Sequence, residues 1–441
     1  MPNKEMKRSY FHNTSARLLN LIDIYPLRAV VMILLLGILL SAVVIANHPP
    51  SMKSGETDSW WAIVLNLIHG NGYSLCLTQY FPFCGSSNQV TAMREPAPVL
   101  MFAMVAWFGK ESLLMAEVVE AIIYLTMIVM IYFLTREWAD SRSAVIASFL
   151  WAIYLPALEL LPQVSGDLFA AICTTLGILF TLRARKTQRT LDWIIAGVGL
   201  GLAIISRSAT LAIALLVIGG QTLDGLRQRL QLKDIIKPAL LLSGLVILIM
   251  APWLIRNKVT LGRTIIGSSL TGYNLYRHNY MIGANHYFRY VGPKEGVQAI
   301  NDLISHRPDL HGDENEGQMD LVYRGEALQI IKSHPMQYVL LSAYRFFPLW
   351  FDWEISEAYG RSTNRYEYLI MLLQLFLLTL ALVGMWKNTA QTWPLWGSIL
   401  AICFAYMAVD ARMLYMMPVM PLVISLSAVG GKNLLDHWLR K

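Results

Sequence analysis

Long apolar runs separated by short charged segments dominate the sequence. A helix needs about 20 apolar residues to cross the hydrocarbon core of a bilayer, and the runs approach or exceed that length. Ser206-Arg207-Ser208 interrupts one of them and predicts two half-length helices that meet at a polar turn, so the pattern predicts ten spans. The runs cover residues 29–46, 112–135, 144–161, 168–182, 193–220, 235–255, 369–386, 393–409 and 413–429.

Three shorter apolar stretches predict helices at the membrane interface. Residues 96–109 are too few to span, and residues 336–353 carry Arg345 at their centre. Residues 60–69 are amphipathic, with Trp60 and Trp61 at one end. Because amphipathic helices of this kind lie in the plane of the interface, we expect all three there, on the same side of the membrane.

Composition supports this interpretation. Of 441 residues, 15% are charged and 55% are hydrophobic, and the mean hydropathy is +0.46. Soluble domains carry roughly 25% charged residues, so a soluble enzyme, a disordered chain and a nucleic-acid-binding protein are excluded. The net charge of +7 does not require an acidic partner, because cytoplasmic loops of membrane proteins are rich in Lys and Arg.

The positive charges predict the orientation. Residues 1–28 are polar and basic, and the apolar run after them is long enough to span, so no cleavable signal peptide is expected. With a cytoplasmic N-terminus, every tight cluster of positive charge between spans falls inside. These residues are Lys4, Lys7, Arg8, Arg17, Arg136, Arg142, Arg183, Arg185, Lys186, Arg189, Arg227, Arg229, Lys233, Lys237, Lys387, Lys432, Arg440 and Lys441.

Two large segments then lie outside, and they define the predicted domains. Residues 256–365 are too long for a connector and predict an extracytoplasmic domain with helices at 298–305 and 318–332. Residues 1–255 form an N-terminal transmembrane module that contains the first outer loop, 48–111, and residues 366–441 form the C-terminal transmembrane helices.

The four cysteines give no disulfide framework. Cys76 and Cys84 share the first outer loop, where a bridge forms only if the loop faces an oxidising compartment. Both alternatives stay open. Cys173 and Cys403 lie in apolar runs and are expected in the core.

Ionisable residues at the ends of the spans gather on the predicted outer face. Any one of them alone is most simply a helix end in the headgroup layer. Charged groups near membrane depth are costly and mark sites or pathways, so the whole set predicts a polar cavity. The residues are Asp58, Arg94, Glu95, Glu159, Asp167, Arg207, Arg256, Asp410 and Arg412.

Two of these positions, and Arg345 in the interfacial stretch, carry specific chemistry with a structural alternative. Asp58 is able to act as a general base, but Asp is also a favoured helix N-cap. Arg207 is suited to bind phosphate in a bidentate manner, or to pair with Asp167 or Glu159. Arg345 either reaches towards water from its apolar helix or contacts a lipid phosphate.

Metal-binding and nucleotide-binding motifs are weak or lacking in the sequence. Asp352-Trp353-Glu354 and the His311–Asp320 run contain oxygen ligands, but neither spacing matches a calcium loop. No Walker A, dinucleotide-binding glycine fingerprint, HExxH or CxxC pair occurs. We therefore expect no metal site.

The order of these features resembles the GT-C membrane glycosyltransferases of the protein-mannosyltransferase and aminoarabinose-transferase type, the family 39-like group. Asp58 after the first span resembles the family's catalytic Asp, and Ser206-Arg207 occupies its basic turn. The closing pattern departs from the family, since Tyr415 stands three residues after Arg412. The other matching segments are Arg94-Glu95-Pro96-Ala97-Pro98, Ser165-Gly166-Asp167, Arg256-Asn257, Gly272-Tyr273-Asn274-Leu275 and Asp410-Ala411-Arg412.

The resemblance implies a GT-C bundle and an inverting transfer of one sugar from a polyprenyl-phosphate donor, such as undecaprenyl phosphate, to a lipid, polysaccharide or protein acceptor. It implies two catalytic residues, Asp58 as the base and Asp167 to orient an arginine or the sugar. Arg94, Arg207, Arg345 and Arg412 would bind the donor phosphate. No cofactor is required, a divalent cation is not favoured, and a bacterial inner membrane with a periplasmic site is expected. Substrate contacts are expected from Glu95, Glu159, Arg256, Asn257, Tyr273 and Asn274.

Two other functions remain as alternatives. A glycan ligase or oligosaccharyltransferase would take a whole glycan from a diphosphate lipid, and the Asp352 and Glu354 carboxylates keep that class open. A lipid or sugar transporter usually places its ionisable groups near the midplane and shows internal repeats, neither of which this sequence indicates.

Overall fold

The computed structural model describes residues 24–53, 56–86, 88–359, 365–386 and 389–439. Several of the charges that predict the orientation lie outside these residues. They are Lys4, Lys7, Arg8, Arg17, Lys387, Arg440 and Lys441.

The described chain is built from helices, which confirms the all-α fold class. Its β pairing is limited to an isolated bridge between Ser74 and Val90. The α-helices are α1 Pro26–Asn47, α2 Thr57–Ile68, α3 Pro96–Phe108, α4 Leu113–Trp138, α5 Ser141–Ala152, α6 Leu155–Leu158, α7 Asp167–Thr187, α8 Thr190–Ile204, α9 Leu211–Arg227, α10 Leu232–Leu261, α11 Leu270–Arg277, α12 Pro293–His306, α13 Glu316–Ser333, α14 Pro335–Tyr344, α15 Phe346–Phe351, α16 Ile355–Ala358, α17 Arg365–Trp386, α18 Trp393–Val409 and α19 Met420–Leu439.

Within the described residues, seven segments are long and apolar enough to cross a membrane by length and composition. Three other predicted spans correspond to shorter helices, α5, α8 and α18, of 12, 15 and 17 residues. The seven segments are Pro26–Asn47, Leu113–Trp138, Asp167–Thr187, Ser208–Arg227, Leu232–Leu261, Arg365–Trp386 and Met413–Trp438.

Two predicted helices are broken in the structure. The run 144–161 ends as a helix at Ala152 and resumes as the short α6, where Pro156 occupies the first turn, because proline lacks the N–H that a continuous helix needs. The interfacial stretch 336–353 forms α14 and α15, with Arg345 at the junction. The polar turn at Ser206–Ser208 is confirmed, since α8 ends at Ile204 and α9 begins at Leu211.

Close helix packing forms the membrane core. Helices α7 and α8, α8 and α10, and α17 and α19 pack along their lengths. A Cβ atom on Gly430 would lie 1.9 Å from the Leu380 carbonyl oxygen, and one on Gly384 would lie 2.0 Å from that of Leu426. Small residues let membrane helices approach in this way.

A second core joins the interfacial helices to the loop domain between α10 and α17. It contains Trp60 from α2, Phe102 from α3 and Tyr323 from α13. The helices predicted at 298–305 and 318–332 are confirmed as α12 and α13. A capping box of Asn315 and Gln318 starts α13. Helix α10 continues to Leu261, past the predicted domain boundary at residue 255.

The four cysteines form one disulfide and leave two free thiols. Cys76 and Cys84 form a disulfide in the first loop. Cys173 and Cys403 are free and buried, as predicted. The disulfide closes the short segment that contains Tyr80.

Candidate functional site

A cavity of about 400 Å³ opens where α2, the loop before α3, the α8–α9 turn, the loop domain and the segment after α18 converge. Arginines outnumber carboxylates on its walls, and tyrosines complete the polar lining. The charged side chains are Arg94, Arg207, Arg263, Arg277, Arg324, Arg412, Glu56, Glu95 and Asp410. The tyrosines are Tyr80, Tyr290, Tyr359, Tyr406 and Tyr415.

Buried Glu316 holds two of the converging segments together. Its carboxylate accepts hydrogen bonds from the Thr91 hydroxyl (2.6 Å), the Ala92 N–H (2.8 Å) and the Ser269 hydroxyl (2.7 Å). The residue lies in the first turn of α13, where the helix dipole favours negative charge. It therefore fixes the loop before α3 against the loop domain.

Glu56 joins two arginines across the cavity. Arg94 Nη1 donates to one oxygen of its carboxylate at 2.6 Å, and Arg412 Nη1 donates to the other at 3.3 Å. Arg94 is positioned by the Ser59 hydroxyl (2.6 and 3.1 Å) and by the Trp60 ring. Desolvation acts to raise the pKa of Glu56, but the charges of the arginines outweigh it and lower the pKa to about 2.

Arg207 lies at the α8–α9 turn and pairs with Asp167 at the start of α7. Its Nε donates to Asp167 Oδ1 at 2.9 Å, and its Nη2 donates to the same oxygen. Asp167 is 4% exposed, so it holds the arginine in position from a buried site. Glu95 anchors the same turn by accepting from the Ser208 N–H and hydroxyl, both at 3.2 Å.

Asp410 connects the segment after α18 with the loop domain. Its Oδ1 lies 2.8 Å from His278 Nε2, and its Oδ2 accepts from the Tyr415 hydroxyl at 3.0 Å. Burial lowers the pKa of His278 to about 4, and the charge of Arg277 adds to this effect. Burial acts to raise the pKa of Asp410, but His278 and nearby arginines hold it well below its usual range. The contact therefore fixes the segment after α18 to the loop domain.

Asp58 does not line the cavity, contrary to the expected place of the base. It is exposed in the first turn of α2, where its Oδ1 accepts from the Ser59 N–H at 2.7 Å. The N-cap position belongs to Glu56, whose side chain makes no capping bond, so the alternative of Asp58 as N-cap is wrong. Asp58 still lies next to Ser59, which contacts Arg94.

Arg345 is buried away from the cavity and bonded to the backbone. It donates to the carbonyl oxygens of His278, Met407 and Ala408 and to Asn279 Oδ1, at 2.8 to 3.3 Å. Acceptors of the protein thus occupy both terminal nitrogens of the guanidinium. Its contacts instead join α14 to the loop domain and to α18.

Three expected substrate contacts also lie outside the cavity. Arg256 donates to the carbonyl oxygens of Thr91 and Tyr73. Asn257 is buried and donates to the Ile265 carbonyl. Tyr273 is buried in the second core. Asn257 and Tyr273 thereby contact the cavity-lining residues Ile265 and Tyr80, respectively.

Glu159 lines a second cavity of about 400 Å³. This cavity is also lined by Asp352 and Glu354, the sequence's weak metal candidates. In the described part of the chain, no group of three His, Cys, Asp or Glu side chains is arranged to hold a metal ion.

The structure thus brings Arg94, Arg207, Arg412, Glu95 and Asn274 into one cavity. Sequence analysis missed several residues that join them there. For Glu56 the sequence signal was its place two residues before Asp58. Arg263, Arg277 and Arg324 lie in the long loop segment, where no pattern separated them from surface residues.

Residues 96–255 match the family model described as dolichyl-phosphate-mannose-protein mannosyltransferase. The match includes Arg207 and Asp167 but ends before the loop domain. No match was found among curated protein sequences.

The chain is also similar to solved structures of an oligosaccharyltransferase from Archaeoglobus fulgidus. AglB in complex with an inhibitory peptide and a dolichol-phosphate gives a TM-score of 0.57 at 18% identity, over 95% of this chain and 51% of that chain. The same enzyme tethered with an acceptor peptide gives 0.58 at 16% identity, over 95% and 50%. This chain therefore spans about half the length of those structures.

ArnT from Cupriavidus metallidurans, in the apo state, aligns less well, with a TM-score of 0.42 at 12% identity, over 92% of this chain and 77% of that chain. The likeness to AglB establishes the GT-C fold. Together with the family match over residues 96–255, it confirms the predicted resemblance to GT-C membrane glycosyltransferases.

Proposed function

We propose that this GT-C-fold membrane protein is an inverting glycosyltransferase that moves a single sugar from a polyprenyl phosphate to an extracytoplasmic acceptor. The observation that carries the proposal is the arginine-rich cavity, in which Arg94 and Arg412 share one carboxylate. Guanidinium groups bind phosphate in a bidentate manner. A lipid-linked donor also suits a site at one end of a bundle of apolar helices.

The arginines would stabilise the leaving group. The negative charge of a glycosyl phosphate increases on its phosphate as the bond from the anomeric carbon breaks, and fixed cations at that point lower the barrier. Arg94 and Arg412 already hold the Glu56 carboxylate, an anion with two oxygens like part of a phosphate. Arg207, positioned by Asp167, would complete the donor site.

Asp58 is proposed as the general base. Glu56, with its pKa lowered to about 2, is a weak base. Exposed Asp58, two residues later, is accessible to an acceptor. Asp58 would take the proton of the acceptor hydroxyl or amine, whose heteroatom bonds to the anomeric carbon. The carbon–oxygen bond to phosphate breaks on the opposite face as the new bond forms, so that the configuration inverts and the electron pair leaves on the polyprenyl phosphate.

The proposed location is a bacterial inner membrane with the cavity on the periplasmic side. The positive-inside distribution of Lys and Arg supports this orientation. The Cys76–Cys84 disulfide beside the cavity also suits an oxidising compartment. The acceptor would be a cell-envelope glycan, a glycolipid such as lipopolysaccharide, or a protein.

A second candidate is an oligosaccharyltransferase or glycan ligase with a diphosphate-linked donor. One observation favours it: Arg263 and Arg324 give the cavity more cations than one phosphate requires. We rank it second because the same arginines also suit an anionic group on the acceptor.

Binding of undecaprenyl phosphate to the protein in nanodiscs tests the proposal. The Arg94→Gln/Arg412→Gln variant should bind it at least tenfold more weakly, because two charge-assisted contacts are lost. Arg307→Gln is the matched control, since Arg307 pairs with Asp309 and Glu326 in the loop domain and does not line the cavity. Equal affinity in the double variant and the wild type would rule out this phosphate site.

A further inference from the structure

The loop domain contributes a second pair of arginines to the cavity. Arg263 follows the end of α10, and Arg324 lies on α13. Both pair with the same oxygen of Asp320, at 3.3 Å for Arg263 Nη1 and 2.9 Å for Arg324 Nε. The other oxygen of Asp320 accepts from the Gly272 N–H at 2.8 Å.

One carboxylate therefore balances two guanidinium groups. Asp320 is 1% exposed, whereas the side chains of Arg324 and Arg263 are 38% and 25% exposed. Arg263 Nη1 is buried and makes no hydrogen bond within the described chain. Arg277 differs, because its guanidinium donates to the Val291 carbonyl and is buried. The pair thus adds a net positive charge to the cavity lining.

Neutral polar groups line the same cavity. Asn274, on α11, lines the cavity beside Thr271, and α11 packs against α13. The contact is close, because a Cβ atom on Gly272 would lie 2.4 Å from Asp320 Oδ1. The absence of a side chain at Gly272 therefore lets α11 pack directly against Asp320 of α13, and Asn274 of α11 lines the same cavity as the arginine pair.

We infer that Arg263, Arg324 and Asn274 form a second anion-binding subsite, which takes a phosphate or carboxylate group of a substrate. The inference rests on the proposed function, because it adds a second anionic group to the same reaction. Asp320 holds this arginine pair, whereas Glu56 holds Arg94 and Arg412, so the two pairs in the cavity are positioned by different carboxylates. The second anion comes from the donor, as the further phosphate of a diphosphate lipid, or from the acceptor.

The test uses the full-length protein in nanodiscs saturated with undecaprenyl phosphate and titrated with radiolabelled inorganic phosphate. We expect saturable phosphate binding that Arg263→Gln/Arg324→Gln weakens at least tenfold and Arg307→Gln leaves within twofold. No saturable binding to the wild type, or the same affinity in the double variant, would overturn the inference. If the double variant does not fold, Arg324→Gln alone, at the more exposed position, should still weaken binding severalfold.

A comparison of two lipid probes identifies the source of the second anion. If undecaprenyl diphosphate binds the wild type at least tenfold more tightly than undecaprenyl phosphate, and the double variant loses this preference, the anion belongs to the donor. If the two lipids bind equally while inorganic phosphate still binds beside undecaprenyl phosphate, the second anion belongs to the acceptor. A preference for the diphosphate that persists in the double variant contradicts the subsite.

Failure of the proposed function gives a different result. In that case undecaprenyl phosphate does not bind to the wild type, whereas inorganic phosphate alone still reports on Arg263 and Arg324. Loss of the second subsite alone leaves binding of undecaprenyl phosphate intact.

Discussion

Glu56 and Asp58 stand two residues apart, yet their surroundings give them different chemistry. The sequence predicts Asp58 as the cavity carboxylate, whereas the structure brings Glu56 there and leaves Asp58 exposed. Glu56 depends on a bond to Arg412, 356 positions away in the chain. Local sequence carries no signal for such a partner, so this part of the site required the fold. Environments that separate two carboxylates in this way also separate their roles.

His278 gives a prediction about acid sensitivity. Its pKa is about 4 in the fold, where burial is the main cause, against about 6.5 in an unfolded chain. The unfolded state therefore binds more protons between these values, and stability from this residue is present above pH 6.5 and lost as the pH falls towards 4. Asp410, Arg277 and Arg345 are the charged groups around it.

Thermal unfolding followed from pH 7 to pH 4 measures this effect. The unfolding temperature of the wild type should fall across the interval, and that of His278→Gln should fall less. The difference between the two curves isolates His278, because the other titrating groups are common to both. Parallel curves would show that His278 does not carry this share of the acid sensitivity.

The helices show where a sequence pattern specifies an element and where it does not. The length of an apolar run was enough to predict the long spans such as α4 and α10, because a helix must cover the thickness of the hydrocarbon core. Breaks were harder to place. The helix of the run 144–161 breaks after α5, and Pro156 lies in the first turn of the short helix that follows. The helix of the stretch 336–353 breaks at Arg345, whose guanidinium is held by backbone carbonyls of other segments. Pairings of this kind follow from packing rather than from periodicity.

The close contact between the loop after α10 and the α8–α9 turn gives a prediction at this scale. A Cβ atom on Gly267 would lie 2.1 Å from the Ser208 Cβ. Gly267→Ala should therefore cost about 1–3 kcal/mol of unfolding free energy. It should also weaken binding of undecaprenyl phosphate, because Ser208 holds Glu95 beside Arg207.

Gly219→Ala is the matched control. Gly219 lies on α9, and a Cβ atom there would meet nothing within 4 Å. Alanine in a helix interior is favoured over glycine by about 0.5–1 kcal/mol, so this variant should unfold at the same or a higher temperature. Chemical denaturation and lipid binding of both variants provide the comparison. Equal stability of the two would contradict the tight packing at Gly267.

For the molecule as a whole, the sequence predicted the class of fold better than the site. A chain that is 55% hydrophobic has few solutions other than a helical membrane protein, and charges gathered on one predicted face indicated a cavity there. The pairings between side chains inside the cavity could not be predicted from the sequence in the same way. Asp410, already noted among the charges, pairs with His278 of the loop domain, 132 residues earlier in the chain. Asp320 joins Arg263 and Arg324, which are 61 positions apart.

The central claim, transfer of a single sugar, is tested most directly by mass spectrometry of envelope glycans and glycolipids. The host lacks this protein and is complemented at equal expression with wild type, Asp58→Asn or Glu56→Gln. We predict one added sugar mass with the wild type, none with Asp58→Asn, and a reduced amount with Glu56→Gln, because the arginines are then less well positioned. No difference between the deletion host and the wild-type complement, or accumulation of whole lipid-linked precursors on deletion, would contradict the claim.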